Sequence, residues 1–314
     1  MRAIVLTEAG GIDKLQIMDL PIPSVKADEV LVKVKAISVN PVDIKTRIGK
    51  SLYNDLKNEP PIILGWDISG VITQIGSAVA EFKIGDEVFG MINFPGHGRA
   101  YAEYVAAPAG HLALKPKNIT HEEAAVATLA ALTAWQALVS QAKVQKAQRV
   151  LIHAAAGGVG HYAVQVAKYL GAYVIATSSA TNKDFVLSLG ADEHIDYKTQ
   201  VIAEVVKDID FVLDPVGGDN VDQSIVVAKK GGTVIVLPSG SITEARMEKA
   251  KQKGINFYFF VVASNGQDMK TIAGLLEKGI IRSHVSQTFP FDKMGDAHRQ
   301  VETGRTSGKI AVII

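Results

Sequence analysis

The sequence predicts an α/β protein in two parts: a β-rich part assembled from both chain ends, and a doubly wound parallel sheet between them. Three observations predict it. Up to about Pro116 the chain consists of short β-rich runs broken by Gly, Pro, Asn and Asp. Near residue 118 the texture changes, and strand-like and helix-like segments then alternate, which calls for right-handed βαβ units. Beyond about residue 266 that rhythm stops, so the tail is expected to return to the first part. A chain of 314 residues has room for roughly two domains. The expected division is 1–118 with 266–314, and 119–265.

In chain order, the first part offers the strands Ala3 to Leu6, Val30 to Val39, Ile68 to Ile75, Glu87 to Met91 and Ala102 to Ala106. Turn signals such as Pro21-Ile22-Pro23, Asn40-Pro41 and Gly85-Asp86 separate them, and strands this closely spaced suggest a small irregular barrel or sandwich. Thr120-His121-Glu122-Glu123 reads as a capping box opening an alanine-rich helix to about Ala142. The alternating region offers strands at Val150 to Ala154, Tyr173 to Thr177, His194 to Asp196, Phe211 to Leu213 and Thr233 to Leu237. Helices are expected between them at Gly160 to Leu170, Asn182 to Leu189, Ile202 to Val206 and Val221 to Val227. The apolar run Phe257 to Val262 is a sixth candidate strand. The tail offers helices at Met269 to Glu277 and Met294 to Glu302 and a last strand at Lys309 to Ile314.

Composition narrows the function classes. A net charge of +1, with no block of like charges, gives no electrostatic reason for a nucleic-acid or membrane partner. Cysteine is absent, which removes a disulfide framework, a catalytic thiol and every cysteine-based metal site. Glu8 interrupts the first apolar run too early for a signal peptide, and no run approaches the ~20 residues of a membrane span. The expectation is a soluble, cytoplasmic protein.

The most informative segment is Val150-Leu151-Ile152-His153-Ala154-Ala155-Ala156-Gly157-Gly158-Val159-Gly160. An apolar strand runs into a glycine-rich turn that opens a helix. Read from Ala154 it is A-x-x-G-x-x-G, a variant of the dinucleotide-binding fingerprint of Rossmann domains. Glycine permits the tight turn, lets backbone N–H groups approach a pyrophosphate, and allows the helix to pack on the strand. The helix N-terminus then presents partial positive charge to the phosphates. Ala156, Gly157, Gly158, Val159 and Gly160 are therefore candidate cofactor contacts. A site that prefers NAD carries an acid ~20 residues further on to hold the ribose 2′-hydroxyl. Here that place holds Thr177, Ser178 and Ser179, with Lys183 nearby and no acid before Asp184. Hydroxyls and a lysine suit a 2′-phosphate that a carboxylate would repel, so NADPH is the expected cofactor. Lys183 can equally be read as a solvated residue at a helix start. Leu237 and Ser239, at and just past the end of a predicted strand, complete the candidate cofactor contacts.

The run Gln148 to Lys168, with Ala155-Ala156-Gly157-Gly158-Val159-Gly160, Gln165 and Lys168, resembles the zinc-independent quinone oxidoreductase (ζ-crystallin-like) branch of the medium-chain dehydrogenase/reductase superfamily. Ala147 departs from the small polar residue or Gly usual there. Gly76-x-x-Val79-x-x-Phe82-x-x-Gly85-Asp86-x-Val88 is similar to the barrel-domain signature, and Asn40-Pro41-Val42-Asp43 to the active-site strand end. Ala130-Ala131-Leu132-Thr133-Ala134 is similar to the helix that faces the nicotinamide, with Thr128 in place of the usual proline. The resemblance spans essentially the whole chain. It implies a GroES-like β-rich catalytic domain plus a Rossmann doubly wound parallel-sheet domain, and NADPH-dependent reduction of quinones or activated alkenes. By matching position it implies Ser178, Lys183 and Tyr197 at the 2′-phosphate, and Asn40 and Thr133 near the nicotinamide. The metal-dependent relatives need a Cys where this chain has Asn40, and Gly-His-Glu where it has Gly65-Trp66-Asp67, so no metal is expected.

Without a metal Lewis acid the acceptor has to be one whose conjugation spreads developing negative charge onto oxygen. A small-molecule quinone or enone meets that condition, with the protein orienting it and donating hydrogen bonds. Asn40 and Tyr53 are the candidate donors and Asp43 a candidate orienting acid. Tyr53 also reads as a surface-loop tyrosine, and Asp43 as a turn cap. The run Phe257 to Val262 is too apolar for a free sheet edge and is expected to pair across a two-fold axis in a homodimer; a buried intramolecular strand is the alternative. An alkenal or enoyl reductase, and a non-catalytic NADPH-binding protein, remain the alternatives for function.

Overall fold

The computed structural model describes residues 1–314. Its strands are β1 (Arg2–Leu6), β2 (Leu15–Asp19), β3 (Glu29–Ser38), β4 (Ile62–Ile63), β5 (Asp67–Ile75), β6 (Glu87–Met91), β7 (Tyr104–Pro108), β8 (Leu112–Leu114), β9 (Arg149–Ile152), β10 (Tyr173–Ser178), β11 (Glu193–Asp196), β12 (Ile209–Asp214), β13 (Ala228–Val236), β14 (Asn256–Phe259), β15 (Val285–Pro290) and β16 (Lys309–Ile313). The chain divides into two compact units, Met1–Leu132 with Ala263–Ile314, and Thr133–Val262.

In the first unit β3 is the organising strand. It is ten residues long, and it pairs antiparallel with β5, β7 and the C-terminal β16. The main sheet runs β15-β16-β3-β5-β6-β8, and a smaller one runs β2-β1-β4. The apolar residues of β3 and β5 explain the arrangement: Val30, Val32, Ile37, Ile68 and Ile72 are wholly buried. The helix His121–Val126 belongs to this unit because it packs on β3, β5 and β16. Its capping box forms, with Thr120 N–H donating to Glu123 Oε2 at 2.8 Å and Glu123 N–H to Thr120 Oγ1 at 3.2 Å.

The second unit is a six-stranded, all-parallel sheet in the order β11-β10-β9-β12-β13-β14. That order reverses direction between β9 and β12, where a doubly wound fold binds its ligand beyond the carboxyl ends of the strands.

Several elements differ from the sequence expectation. The long helix to Ala142 breaks into Leu129–Trp135 and a π-helical turn Gln136–Gln141 after the first piece ends at Val126. At the break Thr128 Oγ1 donates to Ala125 O, and the freed Leu129 N–H donates to the Asp67 carboxylate at 3.0 Å. Local alanine propensity yields there to a tertiary partner. The segment after Asn40 is not only a turn but the helix Pro41–Arg47, and Tyr53 begins a short helix Tyr53–Leu56. Of the last apolar run only Phe257 to Phe259 is strand, as part of β14. β2, β15 and the helix Glu244–Lys253 have no counterpart in the sequence reading.

Candidate functional site

The glycine-rich turn joins β9 to the helix Gly160–Tyr169. The left-handed residue of the turn is Ala154, at φ +47°, and none of Gly157, Gly158 and Gly160 has positive φ. Gly160 is there for close approach rather than for turn conformation. A Cβ on Gly160 would lie 2.2 Å from Ala154 O and 2.7 Å from Ala155 Cα, so only glycine lets the helix begin against the strand end. Ala155 N–H donates to Thr177 O at 2.9 Å, tying the turn to β10.

At the carboxyl end of β10, no acidic side chain stands among Thr177, Ser178 and Ser179. Thr177 and Ser178 are buried and Ser179 is half-buried. Ser178 Oγ lies 2.8 Å from His194 Nε2 on the neighbouring β11, and Ser179 Oγ lies 2.8 Å from Thr181 Oγ1. Lys183 is exposed in the first turn of the helix Lys183–Ser188, and Tyr197 is exposed just after β11, its N–H reaching Ser178 O at 3.3 Å. The helix start, the glycine cradle and these hydroxyls are of the chemistry that a phosphorylated dinucleotide takes, and Lys183 is a cation on the neighbouring helix start. Ala156 and Val159 flank the cradle, while Leu237 follows β13 and Ser239 opens the exposed turn after it.

Beneath the turn lies a network that the sequence reading missed. Asp214 ends β12, fully buried; its Oδ1 accepts from Val216 and Gly217 N–H, and its Oδ2 from Asn220 Nδ2 and Ser224 Oγ, all at 2.9–3.0 Å. Because the Ser224 hydrogen goes to Asp214, Ser224 Oγ accepts from His153 Nε2 at 3.1 Å. His153 Nδ1 then accepts from Thr177 Oγ1 at 3.2 Å. Burial pushes His153 down to about 4, against the pull of Asp214, so the ring is neutral at physiological pH. The only sequence signal was the histidine itself, in the motif at a strand end, where an ordinary packing histidine also sits.

In the first unit, Asn40 is the N-cap of the helix Pro41–Arg47, and its side-chain amide is engaged by residues outside that helix. Nδ2 donates to Asp67 Oδ2 at 2.7 Å, and Oδ1 accepts from Lys309 Nζ, which also donates to Val39 O at 3.0 Å. An ammonium can only donate and a carboxylate only accept, so the amide orientation is fixed. Asp43 Oδ2 accepts the Asn40 backbone N–H. Asn40, Asp43 and Asp67 are each at most 1% exposed and Lys309 4%. Burial raises both carboxyls, Asp43 to about 7, with the neighbouring Asp67 adding to it and Lys309 opposing; burial lowers Lys309.

A directed chain of hydrogen bonds ends beside Asp43. Arg47 Nη1 donates to His298 Nδ1 at 3.2 Å, which leaves the hydrogen on Nε2 to donate to Tyr101 Oη at 3.0 Å. The Tyr101 hydroxyl lies near the Asp43 carboxyl, whose Oδ1 is buried without a hydrogen-bond partner. Burial, with Arg47 adding, drives His298 down to about 3, so this ring too is neutral. Tyr53 stands apart: it is half-buried and its hydroxyl makes no hydrogen bond within the chain.

A model for the alcohol dehydrogenase GroES-like domain matches residues 26–117, and one for zinc-binding dehydrogenases matches residues 189–312. The chain is 36% identical over 322 residues to the 2-methylene-furan-3-one reductase of Solanum lycopersicum, covering 99% of this chain and 79% of that one. The NADPH-dependent alkenal/one oxidoreductase of Arabidopsis thaliana matches with the same identity and coverage. Among solved structures, the quinone oxidoreductase from Coxiella burnetii is 36% identical, with a TM-score of 0.93 over 100% of this chain and 99% of that one. The chain belongs to the quinone oxidoreductase branch of the medium-chain dehydrogenase/reductase superfamily. It is an NADPH-dependent oxidoreductase.

Within this reductase the position matching a metal-branch histidine is filled by Trp66. Its indole is wholly buried, donates to Gly96 O at 2.7 Å and meets the Phe94 ring edge-on. No group of three or more His, Asp or Glu side chains is placed to hold a metal ion. No helix is long and apolar enough to cross a membrane.

Proposed function

We propose that this chain reduces a small quinone or conjugated enone with hydride from NADPH, and that Tyr53 donates the hydrogen bond that steadies the acceptor oxygen. The observation that carries the proposal is the acid-free, hydroxyl-rich end of β10 beside Lys183, behind a glycine cradle with a helix start. NADPH supplies the hydride. The residues proposed to hold it are Thr133, Ala156 to Gly160, Thr177, Ser178, Ser179, Lys183, Tyr197, Leu237 and Ser239. The amide of Asn40 is held by Asp67 and Lys309, so its part is to shape the floor of the acceptor site with one remaining N–H. Asp43, enclosed with Tyr101, is proposed to orient Asn40 through its backbone. The Tyr53 hydroxyl is the candidate donor with no partner inside the chain. The relatives' names support quinones and enones alike.

Loss of NADPH absorbance against quinones, alkenals and 2-enoyl thioesters, with NADH as the control donor, tests the proposal. Consumption of NADPH well above NADH on one acceptor class supports it and names the class. Tight NADPH binding with no turnover on any of them sinks the catalytic reading in favour of a binding protein. Tyr53→Phe is expected to lower kcat with NADPH affinity intact, and unchanged turnover removes Tyr53 from the mechanism.

A homodimer is part of the same proposal. β14 ends the parallel sheet with one edge unpaired in the chain, and Phe259 and Val261 there are 37% and 46% exposed. Sedimentation at micromolar concentration giving only monomer defeats it. A cytoplasmic location is also proposed, since a chain without cysteine needs no oxidising compartment.

A further inference from the structure

Ser178 has one hydroxyl hydrogen and two neighbours that can take it: Ser179 O at 3.1 Å and, when unprotonated, His194 Nε2 at 2.8 Å. His194 stands on β11 in register with Ala176, so its ring reaches across the strand pair to the end of β10. If Nε2 is an acceptor, the Ser178 hydrogen is drawn to the ring. If Nε2 carries a proton it must donate to Ser178 Oγ, and the Ser178 hydrogen is released toward any other acceptor. A neutral ring can adopt either arrangement, and a protonated ring only the second.

The charged groups around this ring are few. Lys183 approaches from the helix Lys183–Ser188, and Asp196 follows on β11 itself. Asp184 on the same helix is exposed, and Glu193 on β11 is engaged by the Tyr173 hydroxyl at 2.7 Å. Burial, and then Lys183, hold His194 below the ordinary imidazole range, with Asp196 pulling the other way. Burial and Lys183 therefore favour the neutral ring, and an anion beside it would favour the charged one.

We propose that His194 is a positioning residue for the 2′-phosphate of the cofactor: taking up a proton when the phosphate binds, it reverses its hydrogen bond with Ser178 and turns the Ser178 hydroxyl into a phosphate donor. The inference rests on the proposed contacts of Ser178 and Lys183 with that phosphate. An added anion raises the imidazole pKa. Affinity for the 2′-phosphorylated cofactor therefore rises as pH falls through the bound-state pKa, and levels off below the free-state one. NADH, with no 2′-phosphate, lacks this dependence. One linked proton changes affinity by at most about tenfold per pH unit. The phosphate itself takes up a proton near pH ~6 and works in the opposite sense, so the window lies between about pH 6.5 and 8.5.

The experiment is calorimetric binding of NADPH and NADH to the full chain across that window, in buffers of different ionisation enthalpy, with His194→Gln and Lys183→Ala alongside. The wild-type preference for NADPH is expected to grow about threefold to tenfold toward the acid end, with proton uptake on binding NADPH but not NADH. In His194→Gln the amide donates to Ser178 at every pH, so the preference is flat and the extra proton uptake is gone. If His194→Gln keeps the wild-type slope and proton uptake while Lys183→Ala loses the NADPH preference, the role of His194 is overturned and the contact site stands. If Lys183→Ala keeps the full preference, the contact site itself is overturned, and the inference with it.

Discussion

Each unit of the chain buries carboxylate in its interior, and the two do so by opposite means. In the parallel sheet, Asp214 is alone and is met by four hydrogen-bond donors, two from backbone, one from Asn220 and one from Ser224. The histidine behind Ser224 is neutral, so no second charge is needed. In the β-rich unit, Asp43 and Asp67 lie near each other and feel the charge of a single buried ammonium, Lys309, which hydrogen-bonds Asn40 rather than either carboxyl. Donors suffice for one carboxylate, but a pair repels and calls for a cation. The first arrangement joins the ends of three neighbouring strands and a helix. The second reaches across 269 positions of chain to fix one side chain, Asn40.

The comparison breaks most sharply at Lys309. Lys309→Met leaves two buried carboxyls with no cation and the Asn40 oxygen with no donor. The expected loss is about 3–5 kcal/mol, read from the urea midpoint. A wild-type midpoint would show that the ammonium balances nothing. Adding Asp43→Asn is expected to restore part of the loss, because the repelling pair is then gone. Burial of Asp43, with Asp67 adding to it, sets a pH dependence. Asp43 sits at about 7 in the folded chain against 3.8 ordinarily. Between those values the unfolded chain releases the proton and the folded chain keeps it. The stability contributed by the protonated carboxyl is therefore whole below pH 3.8 and lost as pH rises to about 7. Relative to wild type, Asp43→Asn gains stability as the pH climbs through that window. Parallel curves for the two proteins would contradict the placement of the proton.

The next largest effect is expected in the other unit, at Gly160. A methyl group there meets the Ala154 carbonyl and the Ala155 backbone rather than a yielding side chain. Gly160→Ala is expected to weaken NADPH binding by about a hundredfold, or about 2.7 kcal/mol, by displacing the helix start from the strand end. Titration of cofactor fluorescence measures it, and unchanged affinity would show that the helix start does not seat the phosphates.

How much of this was legible in the sequence follows from the range of the interactions. The parallel sheet is written locally: apolar runs, glycine punctuation and strand–helix alternation mark five of its strands within a few residues. Its glycine-rich turn is carried by neighbouring residues. The buried cluster around Asn40 is written non-locally. Asn40 and Asp43 stood out through the resemblance of Asn40-Pro41-Val42-Asp43 to the family's active-site strand end, but Lys309 carried no local mark, and neither did His298 or Tyr101. Only the closing of β16 on β3 brings Lys309 to Asn40. The break after Val126 was hidden for the same reason, since its cause is Asp67, far back in the chain. β2 and β15 escaped because their exposed, mixed residues lack the alternation of a half-buried strand.

The smallest effect sharpens the neutral side of the comparison. In Ser224→Ala, Asp214 keeps three of its donors, and the His153 Nε2–H loses its acceptor in a site with almost no solvent. Leaving that one donor unpaired is expected to cost about 1–3 kcal/mol, less than removing the buried cation at Lys309. The ring has an alternative, since Nε2 can give up its hydrogen and Nδ1 can carry it toward Thr177 Oγ1, turning that hydroxyl from donor to acceptor. If the ring takes that course, the loss falls to the low end of the range. The Thr177 hydroxyl hydrogen is then free at the end of β10, where the cofactor is proposed to sit, and NADPH affinity rises while stability falls. Measuring the urea midpoint and the NADPH affinity of the same variant separates the two courses. A loss beyond about 3 kcal/mol would mean that Asp214 depends on Ser224 as strongly as the paired carboxylates depend on Lys309, and the contrast between the two units would fail.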